Sequence, residues 1–259
     1  MEIKINGASY PAQEGEFILT VARRNQVMIP SLCHHDGLPG QGCCRICLAE
    51  VVERGRTRIV TACVYPVSDG LEILTDTERV QAIRRRNLAL LRLRAPEAER
   101  VRQLCSFYKV PAEERFEGTE GERCILCGLC ARACTSLGTG AISTVNRGVT
   151  KKVAPPYEEA PESCIGCGAC AAVCPTKAIP MEQSRETREI WGRVFSMQTC
   201  ARCGEPYTTA EAAAYTAGLT GREDDGLCPD CRARIVGGVM RDVYGGAPSV
   251  TVHARLADG

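Results

Sequence analysis

Eighteen cysteines in 259 residues carry the chemistry of this sequence. They fall into three blocks. Cys33, Cys43, Cys44, Cys47 and Cys63 form the first. Cys124, Cys127, Cys130, Cys134, Cys164, Cys167, Cys170 and Cys174 form the second, and Cys200, Cys203, Cys228 and Cys231 the third, with Cys105 alone between the first two. Thiols at short, regular spacing hold metal where the compartment keeps them reduced. The opening MEIKINGASY has no basic segment followed by an apolar run, and no stretch approaches the ~18 apolar residues of a membrane span. A cytoplasmic metalloprotein is expected. Lys+Arg 32 against Asp+Glu 31 leaves a net charge of +1, which gives no electrostatic reason to expect nucleic acid. With 4 Phe, 7 Tyr and 1 Trp, the core is poor in aromatics, and metal staples would compensate.

The second block is the most specific. Cys124, Cys127, Cys130 and Cys134 form C-x2-C-x2-C-x3-C, and Cys164, Cys167, Cys170 and Cys174 repeat it. Two-residue gaps let three thiolates of one loop wrap a face of a cubane, while the fourth, one helical turn on, points away. The pattern resembles two-cluster bacterial ferredoxins, in which the fourth cysteine ligates the other cluster. That resemblance implies one [4Fe–4S] cluster on Cys124, Cys127, Cys130 and Cys174, and another on Cys164, Cys167, Cys170 and Cys134. Pro175 completes the usual C-P after the second run; Thr135 replaces it after the first. Gly128, Gly166 and Gly168 would let backbone N–H groups approach the sulfurs and tune the potential.

In the first block, Cys33, Cys44, Cys47 and Cys63 are spaced x10, x2 and x15. Three thiolates from one loop and a distant fourth suit a [2Fe–2S] rhomb, with Cys43 as the alternative to Cys44. His34 and His35 lack the paired Cys-x-His elements of Rieske ligation, so they read as loop residues beside the cluster. The third block, C-x2-C-x24-C-x2-C, is a tetrahedral S4 site for zinc or a mononuclear iron. Cys-Gly and Cys-Pro pairs occur in zinc ribbons and rubredoxins alike, and zinc suits a structural cap. Cys105 reads as a buried thiol. No G-x-G-x-x-G, P-loop or H-E-x-x-H is present, so neither a nicotinamide or flavin site nor a catalytic residue is expected. His253 stands isolated.

The elements that position these cysteines read as α+β. Residues 1–75 form a small mixed domain: Met1–Ile5 and Ala8–Ala12 flank the hairpin signal Asn6-Gly7, Glu16–Asn25 is a helix, Ile46–Val52 and Thr57–Thr61 form a second hairpin, and Leu71–Leu74 closes the sheet. A basic helical pair occupies 76–118. Thr75-Asp76-Thr77-Glu78 fits a capping box for a helix to about Arg94, and Pro96 suits the first turn of the next, to about Tyr108. Its arginines, Arg84, Arg85, Arg86, Arg92, Arg94, Arg100 and Arg102, read as a solvated face or a docking face for an acidic partner. The two-cubane domain spans 119–190, with Ala141-Ile142 and Ala178-Ile179 repeated after the two motifs and a long surface loop between them. A four-cysteine ribbon, with a helix Thr209–Ala217, spans 191–236, and 237–259 is a tail.

G-Q-G-C-C-R-I-C resembles the N-terminal domain of the large iron–sulfur subunit of respiratory complex I (NADH dehydrogenase-like) and the matching domain of NAD-linked hydrogenases. The family pattern, an arginine directly after the ligand, places Cys44 before Arg45. The order of [2Fe–2S] domain, helices and two-cubane domain over residues 1–190 is similar to diaphorase-type iron–sulfur subunits of bidirectional hydrogenases. AISTVNRGV also resembles that family. The resemblance implies a β-grasp [2Fe–2S] domain, a bacterial-type two-[4Fe–4S] domain and a zinc-ribbon or rubredoxin-like unit. It further implies a non-catalytic relay subunit of a soluble, hetero-oligomeric, NADH- or NADPH-linked complex, beside a flavin- and NAD-binding diaphorase subunit and a catalytic oxidoreductase subunit. The His-x3-Cys-x2-Cys-x5-Cys motif of the complex I subunit is missing between 76 and 123. An iron–sulfur subunit of a succinate- or fumarate-type enzyme and a redox-sensing adaptor are the alternatives. The first is opposed by the x10 gap and the two full cubane motifs; the second by the excess of cubane ligands.

Overall fold

The computed structural model describes residues 1–53, 55–113 and 115–244. They form two compact units: 1–164 with 168–182 and 190–193, and 165–167 with 183–189 and 194–244.

In the first unit, Asn6 (φ 50°) and Gly7 (φ 85°) both adopt left-handed backbone, the requirement of a tight primed hairpin turn. They join β1 (Glu2–Ile5) to β2 (Ala8–Pro11), with Ile5 opposite Ala8. The expected first helix is α1 (Ile18–Arg24), which buries Ile18, Leu19, Val21 and Ala22. The second hairpin is β3 (Leu48–Glu53) and β4 (Arg56–Thr61), and the closing strand is β5 (Glu72–Leu74). The sheet order is β2-β1-β5-β3-β4, with β5 parallel to β1 and antiparallel to β3. Alternation puts Ile3, Ile5, Val51 and Ile73 on the face that packs against α1, and Cys47 and Cys63 share that core.

Helix α2 (Glu78–Arg94) is capped two residues later than the capping-box reading: Thr77 is the N-cap, its Oγ1 accepting from the Val80 N–H at 3.2 Å. Helix α3 (Glu99–Phe107) begins three residues after Pro96, which therefore lies before its first turn. The arginines of this pair are not all solvated, which corrects the basic-face reading. Arg84 is 1% exposed, donating to the carbonyls of Ile46 and Leu48 at 3.1 and 2.9 Å and to Tyr108 Oη at 3.1 Å. Arg92 and Arg94 are likewise spent on backbone carbonyls.

Helix α4 (Leu129–Ser136) and the single turn α5 (Ala169–Ala172) carry the third cysteine of each cubane motif. The segment between them is not a plain loop: β6 (Ser143–Val145) and β7 (Lys152–Ala154) pair antiparallel. Beyond lie β8 (Met181–Gln183), β9 (Thr187–Ile190), β10 (Arg193–Thr199) and β11 (Pro206–Thr209), in the sheet order β11-β10-β9-β8. One sheet thus runs across the expected boundary at 190. Thr209 caps α6 (Ala210–Thr220). Helix α7 (Pro229–Val243) continues through the expected boundary at 236; His253 lies outside the described residues.

Candidate iron–sulfur and metal centres

Cys33, Cys44, Cys47 and Cys63 are each at most 7% exposed. The loop that carries them depends on tight backbone. Arg45 turns with φ 55°, held by Asn87 Nδ2 on its carbonyl and by its own guanidinium on Thr61 Oγ1, both at 2.8 Å. At Gly40, a Cβ would stand 2.7 Å from the Cys63 carbonyl oxygen. The Cys44 N–H donates to Cys33 Sγ at 3.3 Å. Thiol–thiol hydrogen bonds lower Cys33 and Cys63 and raise Cys44 and Cys47, with burial adding to the rise. Four buried thiols, three from this loop and Cys63 from beyond it, are the donor set a di-iron core would take. Cys43 differs: it is exposed, and its Sγ lies against the Cys33 thiol and 3.3 Å from the Cys127 carbonyl oxygen. The histidines are turned to their own loop. His34 Nε2 is 3.0 Å from Asp36 Oδ1, and His35 Nδ1 accepts from the Gly37 N–H at 3.1 Å.

In the cubane region, Leu126 (φ 54°) and Gly128 (φ 70°) bend the chain around the sulfurs. Gly128 and Gly168 are the left-handed N-caps of α4 and α5. Burial first, and then neighbouring sulfurs, push Cys127 to about 11 and Cys130 to about 12, and Cys124 also rises. For all three, the neighbouring sulfurs that contribute include Cys174. The repeated Ala-Ile pairs acquire a chemical reason. The Ala141 N–H donates to Cys134 Sγ at 3.2 Å, and the Ala178 N–H donates to Cys174 Sγ at 3.2 Å. Cys164 is half-buried and Cys170 buried, both in the first unit, whereas Cys167 is exposed in the second.

The third site lies in the second unit. Cys200, Cys203, Cys228 and Cys231 bring their sulfurs within 4.8 Å of one another, and Cys203 and Cys228 Sγ are 3.7 Å apart. Tetrahedral M–S bonds of ~2.3 Å imply S···S edges of ~3.8 Å, so the set fits one metal ion. The first pair sits in the turn between β10 and β11, with Gly204 at φ 74°. The second pair opens a helix: Cys228 is the N-cap of α7, and its Sγ accepts the Cys231 N–H at 3.4 Å. Backbone N–H groups, chiefly that of Cys228, hold the Cys200 thiol down to about 6.

Four arginines and a tryptophan serve these sites without any signal in the cysteine pattern. Arg84 ties α2 to the strand leaving Cys47. Arg132 Nη2 donates to the Cys33 carbonyl at 3.2 Å, and its Nη1 to that of Pro39. Arg193 Nη1 donates to the carbonyls of Pro161, Glu162 and Cys164 at 2.7–2.8 Å. Arg188 Nη1 donates to the Gly166 carbonyl at 2.7 Å. Trp191 Nε1 donates to Cys170 Sγ at 3.4 Å. Cys105 is the buried thiol expected, its Sγ 3.6 Å from the Leu88 carbonyl oxygen.

Residues 1–78 match a 2Fe-2S iron-sulfur cluster binding domain, and residues 119–181 and 163–209 match 4Fe-4S dicluster domains. An NADH-quinone oxidoreductase subunit of Rhizobium meliloti is 27% identical over 79% of this chain and 27% of its own length. The NADP-reducing hydrogenase subunit HndD of Solidesulfovibrio fructosivorans is 31% identical over 61% of this chain and 32% of its own. The alpha subunit of NADPH-Fe(3+) oxidoreductase of Geobacter sulfurreducens is 26% identical over 78% of this chain and 26% of its own. This chain therefore spans about a quarter to a third of these curated relatives. A chain of an NAD+-reducing [NiFe]-hydrogenase crystal structure in the H2-reduced state aligns with a TM-score of 0.52, at 26% identity over 60% of this chain and 74% of that one. The chain carries one 2Fe-2S domain followed by 4Fe-4S dicluster domains, and it resembles the iron–sulfur subunits of NAD-linked hydrogenases and of NADH-quinone oxidoreductases.

Proposed function

We propose that the chain is an electron-transfer iron–sulfur subunit, passing electrons between an NADH- or NADPH-oxidising flavoprotein and a catalytic subunit such as a hydrogenase or reductase. The observation that carries this reading is the gathering, within one compact unit, of four buried thiols from the 2Fe-2S domain and seven of the eight motif thiols of the dicluster domain. Iron–sulfur clusters, when bound, supply one-electron transfer at potentials that hydrogen bonds to sulfur, burial and net charge set.

The protein's own residues supply the rest. Cys33, Cys44, Cys47 and Cys63 hold the [2Fe–2S] cluster in a domain we read as a β-grasp, a reading supported by its mixed five-stranded sheet. Cys124, Cys127, Cys130 and Cys174 hold one cubane, and Cys164, Cys167, Cys170 and Cys134 the other. Burial of Cys127, Cys130 and Cys170 keeps water from those sulfurs, and the N–H groups of Leu126, Ala141 and Ala178 with the Trp191 indole stabilise added negative charge. Cys200, Cys203, Cys228 and Cys231 hold zinc, closing the turn of a hairpin onto the first turn of α7. The second pair's place on a helix, not on a second cysteine turn, favours a structural zinc over a rubredoxin-like iron.

The partner set is a flavin- and NAD-binding diaphorase subunit and a catalytic oxidoreductase subunit, in the cytoplasm. Among the described residues, no helix is long and apolar enough to cross a membrane. Metal and acid-labile sulfide analysis of anaerobically purified protein tests the cofactor set. The expected result is about ten irons, about ten sulfides and about one zinc. About eleven irons without zinc makes the terminal site a mononuclear iron centre. Reduction by NADH or NADPH through a co-purifying flavoprotein tests the relay, and the absence of both the flavoprotein and such reduction overturns it.

A further inference from the structure

Five cysteines crowd a site that needs four, and the fifth makes contacts of its own. Cys43 Sγ is 3.3 Å from the carbonyl oxygen of Cys127, eighty-four residues away, while also lying against the Cys33 thiol. From the opposite side Arg132, between Cys130 and Cys134 on α4, donates to the Cys33 carbonyl at 3.2 Å and to that of Pro39. Gly128 lets Gln41 approach: a Cβ there would stand 3.2 Å from Gln41 Oε1. Leu32, Cys33, Cys44, Ile125, Cys127 and Leu129 share one buried cluster beneath these contacts.

We propose that Cys43 and Arg132 are positioning residues that lock the loop of Cys33 and Cys44 to the turn of Cys127. They make the [2Fe–2S] site and the first cubane site a fixed pair. This deepens the relay reading and rests on it. A thiol on the loop and a guanidinium on α4 each hold one side of the joint, so removal of both leaves the two segments joined by side-chain packing without these directional contacts. Cys43 is thereby assigned a role outside ligation, and its exposure is consistent with a group that bridges two loops at their rim.

The test uses anaerobically purified holoprotein carrying Cys43→Ala with Arg132→Ala, alongside Cys43→Ser and Arg132→Lys. Two readouts are taken: iron and sulfide content, and the electron paramagnetic resonance spectrum of the fully reduced protein. Magnetic interaction between two reduced clusters falls steeply as they separate, so it reports the joint and not activity. The wild type is expected to show broadening between the [2Fe–2S] and cubane signals. The double variant should keep its full iron and lose that broadening, with Cys43→Ser and Arg132→Lys retaining it. Unchanged broadening in the double variant, or a wild type with full iron and no broadening, overturns the proposal. So does loss of two irons from Cys43→Ser or from the Cys43→Ala change, which would make Cys43 a ligand. If the double variant does not fold, Cys43→Ala and Arg132→Ala are measured singly: each should weaken the broadening at full iron, and unchanged broadening in both overturns the proposal. A wild type without iron overturns the relay reading instead, which separates the two failures.

Discussion

The indole N–H of Trp191 donates to Cys170 Sγ at 3.4 Å. A hydrogen bond to a ligating sulfur favours the reduced, more negative cluster and so raises its potential. Trp191→Phe keeps the ring and removes the donor. The expected outcome is a more negative midpoint for one cubane at unchanged iron content, read by redox titration. An unaltered potential would separate this indole from the cluster on Cys170.

Arg84→Met removes a buried guanidinium that satisfies the Ile46 and Leu48 carbonyls. Hydrogen bonds from charged donors contribute about 1.5–3 kcal/mol, and the abandoned carbonyls have no water to turn to. A loss on the order of 3 kcal/mol is expected by denaturant unfolding. Arg86→Met, at an exposed position on the same helix, should change stability by less than about 0.5 kcal/mol.

Gly166→Ala should be costly for two reasons. The residue has φ 66°, and an added Cβ would stand 2.5 Å from Phe195 Cγ. A loss of about 1–3 kcal/mol is expected. Phe195→Leu in the same chain should recover part of it, because only the clash and not the backbone strain is relieved. A double-mutant cycle with no coupling would remove the ring from the account.

The proposed crossed ligation predicts different outcomes for two otherwise similar serine variants. Cys174→Ser should perturb the cubane on Cys124, Cys127 and Cys130, and Cys134→Ser the other one. Assignment by selective spectroscopic perturbation distinguishes them, and the reverse pattern would refute the crossing. Cys44→Ser should abolish the [2Fe–2S] signal while leaving both cubanes.

At the terminal site, stripping the metal with a strong chelator, or Cys203→Ser, should release about one metal ion. Because Cys228 and Cys231 sit at the start of α7, far-UV circular dichroism should show helix loss on removal. Retained helicity would mean that the site does not organise α7.

The cysteine spacings made the domain content legible, since ligation imposes fixed gaps. The Asn6-Gly7 turn was legible because few dipeptides tolerate two consecutive left-handed residues. Other features left no such trace. Arg84 is one of eight arginines in its helical pair, and no local pattern marks the one turned inward; three-dimensional placement of the Ile46 and Leu48 carbonyls does. The β6–β7 hairpin and strands β8–β10 are three to seven residues long, too short for periodicity to separate them from loop. The cap at Thr77 was masked by Thr75, which fits the same box, whereas Thr77 is the residue whose hydroxyl also reaches Glu50 Oε2 at 2.9 Å. The Trp191–Cys170 contact joins residues 21 apart and has no counterpart in any spacing rule.

The middle strand of the five-stranded sheet, β5, is the last to be made: Lys4 pairs with Glu72, and Ile5 with Ile73. Such distant pairing is slow to form and cannot begin until its second partner leaves the ribosome. Cys33, Cys44, Cys47 and Cys63 are all synthesised before that strand exists. Until it inserts, the β1–β2 and β3–β4 hairpins have no strand to join them. The strand that completes the sheet around the first cysteine block therefore contains no cysteine itself.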